Sequence, residues 1–277
     1  MRYNYKKTTI ITIIFSIIMM IIHFYTLDDA LDPLINEDLN GYIIAQFAIF
    51  KVFGGPLNPR LMNISQMATY MIVPIFLLMH IFSLLIDNIH KISHLIIIRK
   101  KGSFKYILYV QKHIILKIVN VILIYMLINI VPILRYVSFI EIFPFLIVTI
   151  AVYLLQYLCL SNILFLLSLV VSKLYLIIIY VFTLIGELFF FYLIAQTIFE
   201  DMIKTNYSFI VKFFFHTKVF VNYYKMPFNN WHTTMIYGND FFFGIFYLLG
   251  SILIFMGIAY FLIKSKNALI FKNKQKS

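Results

Sequence analysis

The chain lacks most of what a water-soluble enzyme of its length needs. Its 277 residues include one cysteine, Cys159, seven prolines, nine glycines and only eleven acidic side chains. A single cysteine excludes a disulfide framework and a multi-cysteine metal site. No G-x-x-x-x-G-K-[ST] motif occurs, so the chain has no Walker-type site of its own for hydrolysing ATP. There is no H-E-x-x-H zinc motif, and no apolar stretch offers paired carboxylates or a serine–histidine pairing for hydrolysis. The seven histidines, His23, His80, His90, His94, His113, His216 and His232, are scattered. His90 and His94 have the i,i+4 spacing of a shared metal, but without a third ligand they read as a surface pair. The expectation is therefore a chain that is not an enzyme, with no cofactor, metal or catalytic residue.

What is abundant is apolar surface. Hydrophobic residues make up 62% of the chain and the mean hydropathy is +0.93, which leaves too little polar surface to cover a soluble globule. A bilayer core of about 30 Å takes roughly 20 apolar residues as a helix, because every amide must be satisfied within the segment. Six stretches qualify: 8–25, 67–86, 114–134, 142–164, 174–199 and 241–263. The sequence predicts an all-α polytopic membrane protein, a single transmembrane domain over 1–277 with six crossings. The first stretch follows a basic leader, as a secretory signal does. Its length and the absence of a small-x-small pattern at 26–30 make it a retained anchor.

Charge predicts the orientation. With the N-terminus placed inside, 14 of the 23 lysines and arginines fall in the two termini and the inner connections and seven fall outside, whereas the long connections, 26–66 and 200–240, hold most of the acidic residues. The positive-inside rule then places both termini in the cytoplasm and both long connections outside, in a cell membrane. Lys112 and Lys117 fall at the inner mouth of the third stretch, where long stems can snorkel to the interface. The net charge of +12 sits beside helix ends, so anionic lipid rather than nucleic acid accounts for it.

The connections have their own character. Residues 27–38 carry Asp28, Asp29, Asp32, Glu37 and Asp38 and are expected in solvent. Residues 39–53 turn apolar again but are too short to span. They are expected as an amphipathic helix on the outer leaflet or capping the bundle, ended by Gly54-Gly55-Pro56. On the inner side, Ile89, Ile92, Leu95, Ile96 and Ile98 give one face of a short amphipathic helix, while His90, Lys91, His94 and Arg99 give the other. That segment, continuing through Lys100 and Lys101, is either a topology-fixing loop or a docking element for a cytoplasmic partner. Residues 142–199 hold only Lys173 and Glu187 as charges, so they make two crossings with a tight turn at 172–173. Gly244, Gly250 and Gly257 in the last stretch are spaced by six and seven, not by the four of a small-xxx-small face.

A few polar side chains fall inside the stretches. Glu187 is the one acid deep in a crossing, and an intramembrane carboxylate is a functional candidate by default. It binds a coupling proton, or it is neutral and bonded to Gln156, Asn162 or Asn129 as helix glue. His80 has the same two readings.

Six crossings with both ends inside, an amphipathic inner helix between crossings two and three, a tight inner hairpin after the fourth and a large outer loop before the sixth resemble the permease subunits of ABC-2-type exporters. Within that group the pattern is most similar to small bacterial permeases of lantibiotic immunity and antimicrobial-peptide efflux. Arg99-Lys100-Lys101-Gly102-Ser103 is the nearest local counterpart of their basic R-x-G-S turn, with one residue more in its spacing. The resemblance implies a permease dimer, homo- or heteromeric, on two copies of a separate cytoplasmic ATPase, with 89–99 as the coupling helix and an amphipathic or lipophilic solute as cargo. An ion-coupled secondary transporter and a non-transporting membrane regulator remain open alternatives.

Overall fold

The computed structural model describes residues 5–36, 41–54, 72–80, 103–171, 173–197, 224–225 and 239–274. These residues are helical almost throughout. In chain order they form α1 (Tyr5–Asn36), α2 (Gly41–Ile49) running into a π turn (Phe50–Gly54), α3 (72–80), α4 (Ser103–Asn129) with a 3-10 turn (Ile133–Arg135), α5 (Phe139–Ser168), α6 (Lys173–Thr197) and α7 (Phe241–Lys274). A two-residue parallel pairing, Tyr224–Lys225 with Asn239–Asp240, leads into α7.

Among the described residues, four helices are long and apolar enough to cross a membrane, over Lys6–Asp28, Phe104–Arg135, Phe139–Ser168 and Phe243–Ser265. A fifth apolar run, Leu174–Glu187, lies in α6. Only the 72–80 part of the expected second crossing falls within the described residues. The helices outrun the apolar windows that located them. α1 continues through the acidic stretch to Asn36, because Leu27 and Leu31 are buried one turn apart while Asp32 faces solvent. α4 begins at Ser103, because Tyr106, Ile107, Val110 and Ile114 keep a buried stripe at helical spacing past the exposed Lys112.

Local chemistry fixes the α4–α5 corner. Pro132 starts the 3-10 turn after α4. Ser138 is the N-cap of α5, and its backbone N–H and hydroxyl donate to the Glu141 carboxylate at 2.9 and 2.7 Å while the Glu141 N–H donates to its hydroxyl, a capping box. Pro144, inside α5, lies within its first two turns.

Side-chain pairs set the directions. Thr9 with Asn120, Ser16 with Asn129 and Asp28 with Arg135 place α1 and α4 side by side in the same sense. The turn at Ser138 and a 2.5 Å bond from the Gln111 amide to the Asn162 carbonyl make α5 antiparallel to α4. α7 packs along α5 through Leu248, Ile252 and Cys159.

The short helix α2 is the largest departure from the sequence reading. Gly41 lies against the Glu141 carboxylate, so close that a Cβ there would collide with it, and the Tyr153 hydroxyl donates to the Phe53 carbonyl. Both pairs are twelve residues apart along their helices, so α2 and its π turn run beside α5 in the same direction for about 18 Å. The segment therefore enters the bundle from the Ser138 end and reaches the middle of α5. It does not rest on an outer surface, and the reason is composition. Ile44, Ala45, Ala48, Ile49, Val52 and Phe53 are buried, and Gln46 and Lys51 alone are strongly polar, too few for a wet face.

Candidate functional site: a polar seam inside an apolar bundle

α1 shows how the sequence builds the interior. Thr8, Thr12 and Ser16 are buried at intervals of four, with His23 further along the same helix, whereas Ile10, Ile14, Ile17, Ile18 and Ile21 are all substantially exposed. A helix in water would turn the other way. Isoleucine outward and hydroxyl inward is the arrangement for a helix whose surroundings are lipid. The Thr12 hydroxyl donates to the Thr8 carbonyl at 2.9 Å and the Ser16 hydroxyl to the Thr12 carbonyl at 2.7 Å, which satisfies both within the helix and keeps the seam thin.

α3, α4 and α5 complete the seam. His80 shares a 3.2 Å hydrogen bond with the Thr8 carbonyl, its ring stacks with Phe76, and Phe76 stacks on Phe15 of α1. The Asn120 amide donates to the Thr9 hydroxyl at 3.3 Å, and the Asn129 amide donates to the Ser16 and Tyr125 carbonyls. Gln111 and Asn162 are both buried and bonded to each other, and the Asn162 amide also donates to the Leu158 carbonyl at 2.8 Å. Gln46 and Gln156 are buried as well. At the core of the bundle Phe15, Phe53, Tyr125 and Tyr153 form an aromatic knot with centroid separations of 6.0 to 6.4 Å along its links, closed by the tip of the π turn.

Lys117 departs from its expected position. It does not snorkel from a helix mouth: α4 starts well before it, and the side chain is only 1% exposed, within electrostatic reach of His80. The apolar window of the third stretch began too late to show how far inside the helix it lies.

The sites anticipated from sequence fall in three groups. His80, Asn162 and Gln156 are in the bundle, the first two with the partners just given. Glu187 is half-buried on α6 and lies within electrostatic reach of Tyr180 and Tyr247. Among the candidate partners for its carboxylate, Asn162 is engaged with Gln111 and Leu158, and the Asn129 amide with the backbone of α1 and α4. The third group, His90, Lys91, His94, Arg99, Lys100 and Lys101, lies outside the described residues. Sequence reasoning missed Lys117, the pair His23 and Lys51, and the Gln111–Asn162 bond. The spacing of Thr8, Thr12, Ser16 and His23 was the available signal, since small polar residues at helical intervals in an apolar run mark an inward face.

No group of three histidine, cysteine or carboxylate side chains able to hold a metal occurs among the described residues. The arrangement offers hydrogen-bonding groups and a buried lysine, Lys117, inside apolar walls. No protein-family model, curated protein or solved structure matches the chain.

Proposed function

We propose that this chain is the membrane-spanning subunit of an ABC-type exporter, moving an amphipathic or lipophilic solute such as an antimicrobial peptide with energy from a separate cytoplasmic ATPase. In this reading the chain crosses the cell membrane six times with both termini in the cytoplasm, and it works as a dimer with a second permease copy. The inner helix carrying His90, Lys91, His94, Arg99, Lys100 and Lys101 contacts the ATPase. The observation that carries the reading is the inside-out pattern of the bundle, polar along its interior and isoleucine-rich on its outer face, from Thr8 to His23. A bundle with polar groups inside and few midplane charges suits a solute with both apolar and polar parts better than a hydrophilic one.

The test is co-purification from native membranes in mild detergent. A P-loop ATPase should co-purify with the tagged chain, and replacing Lys91 and Arg99 together by glutamine should reduce its recovery and the cells' resistance to the peptide several-fold. Absence of any nucleotide hydrolase, with resistance unchanged in the double variant, overturns the reading.

A second reading has one observation in its favour. A half-length helix that ends inside the bundle at a π turn, beside Gly54-Gly55-Pro56, is the kind of interruption that ion-coupled transporters place at their binding sites. Efflux that stops with a protonophore while cellular ATP is held constant favours that mechanism.

A further inference from the structure

α2 and its π turn are held to α5 at both ends, and the two holds differ in kind. At the far end the Tyr153 hydroxyl donates to the Phe53 carbonyl, a bond between neutral groups. At the start the Glu141 carboxylate lies against Gly41, the first residue of α2, with Oε2 3.2 Å from where a Cβ would stand and Oε1 nearer still. The same carboxylate closes the start of α5, accepting from the Ser138 N–H and hydroxyl at 2.9 and 2.7 Å. One side chain therefore serves two helix N-termini, where unsatisfied N–H groups and the helix dipole favour negative charge. Gly41 makes the approach possible. At Gly186, Gly250 and Gly257 a Cβ would meet nothing within 4 Å, so of these four helical glycines only Gly41 has another element in the place of its side chain.

Glu141 is partly exposed at the rim of the bundle, whereas Ile44, Ala45 and Ala48, one to two turns past Gly41, are buried. A group open to water thus stands at the entry of a buried segment. The other charged or titratable side chains described at this corner are Tyr42 on α2, Asp28 and Asp32 on α1, and Arg135 and Tyr136 ahead of α5. Arg135 is directed to Asp28 at 3.2 Å and to the Tyr136 ring at 5.5 Å.

We propose that Glu141 is a proton-binding clasp for α2: as the carboxylate it holds the starts of α2 and α5 together, and as the neutral acid it lets α2 go. The hold is present while the group is charged and is lost as the pH falls through its titration. The Tyr153 bond carries no charge and stays, so α2 swings from its far end as a hinged flap on α5. This goes beyond the exporter reading and holds whether ATP or an ion drives transport, so either can fail while the other stands.

The experiment follows amide hydrogen exchange of the full-length protein in phosphatidylcholine nanodiscs, comparing residues 42–49 with the buried stretch of α4 between Tyr106 and Met126. Glu141→Gln keeps size and an acceptor oxygen but removes the charge, and should speed exchange in α2 about tenfold while α4 is unchanged. Gly41→Ala should do the same, because its Cβ takes the place of the carboxylate. Ser138→Ala removes one donor but leaves the carboxylate on Gly41, so exchange in α2 should rise no more than about twofold. In the unmodified protein, acidification from about pH 7 to about pH 3.5, past the ordinary glutamate value of about 4.3, should speed α2 selectively once intrinsic exchange is corrected for. That step should vanish in Glu141→Gln, which separates it from the titration of Asp28 and Asp32. An unmodified protein in which α2 keeps its protection relative to α4 through that range overturns the proposal, even if every variant fails to fold. Equal effects of Ser138→Ala and Glu141→Gln on α2 also overturn it, because the carboxylate would then act only through the cap of α5.

Discussion

The α1–α4 and α5–α7 contacts solve the same problem by different means. α1 meets α4 through Thr9 with Asn120 and Ser16 with Asn129, pairs of hydroxyl or carbonyl with amide. α5 meets α7 through Cys159, Leu248 and Ile252, with Leu155, Leu158 and Phe255 packed around them. Lipid tails are as apolar as leucine, so the second contact gains little from leaving lipid and depends on close packing, while the first gains direction and register from hydrogen bonds that lipid cannot replace. The seam is therefore where the sequence specifies a pairing, and the apolar contact is where shape alone does so. Lys117 of α4 and His80, bonded to Thr8 of α1, lie on the specified side.

Three measurements sharpen that contrast, and Cys159, the sole cysteine and a buried one, reports on two of them through its rate of maleimide labelling. The largest effect is expected at the shape-dependent contact. Leu248→Ala leaves a cavity beside Cys159, costs about 2 kcal/mol and should speed labelling by more than tenfold, whereas Leu248→Met should leave it nearly unchanged. At the seam volume is not what matters. Asn129→Leu preserves bulk but removes the amide that holds the Ser16 and Tyr125 carbonyls, and should cost about 1 kcal/mol in detergent-titrated unfolding with little change at Cys159. If Asn129→Leu is neutral, the distinction between the two contacts fails. The smallest effect is expected at the rim. Arg135 and Asp28 are both substantially exposed, so Arg135→Gln should cost under about 0.5 kcal/mol and nothing measurable at high salt.

Much of this was legible in the chain. Long apolar runs required helices, and the helical interval of Thr8, Thr12 and Ser16 marked an inward face. The Ser138 and Glu141 spacing was itself a helix-start signal. What escaped was any feature resting on an exact helix start or on two distant segments meeting. Lys117 looked peripheral because an apolar window ends at the first cluster of polar residues, while a helix continues as long as one face stays buried. Residues 39–53 were expected on the outer leaflet or capping the bundle because their length was weighed against a full crossing. Their two alanines and lack of a polar face are what let them enter beside α5. The Gln111–Asn162 bond joins residues 51 positions apart, and no local pattern foretells it.

By itself the sequence determined the solvent. Its apolar content leaves too little polar surface for a water-covered fold, and a backbone that must satisfy its own amides in lipid becomes helix. Only the tertiary structure decided which polar groups meet. Pairings such as His80 with Thr8, Asn129 with Ser16 and Lys51 near His23 depend on the directions of the helices and the depth to which α2 enters. Those follow from packing among distant segments, to which helical periodicity is blind.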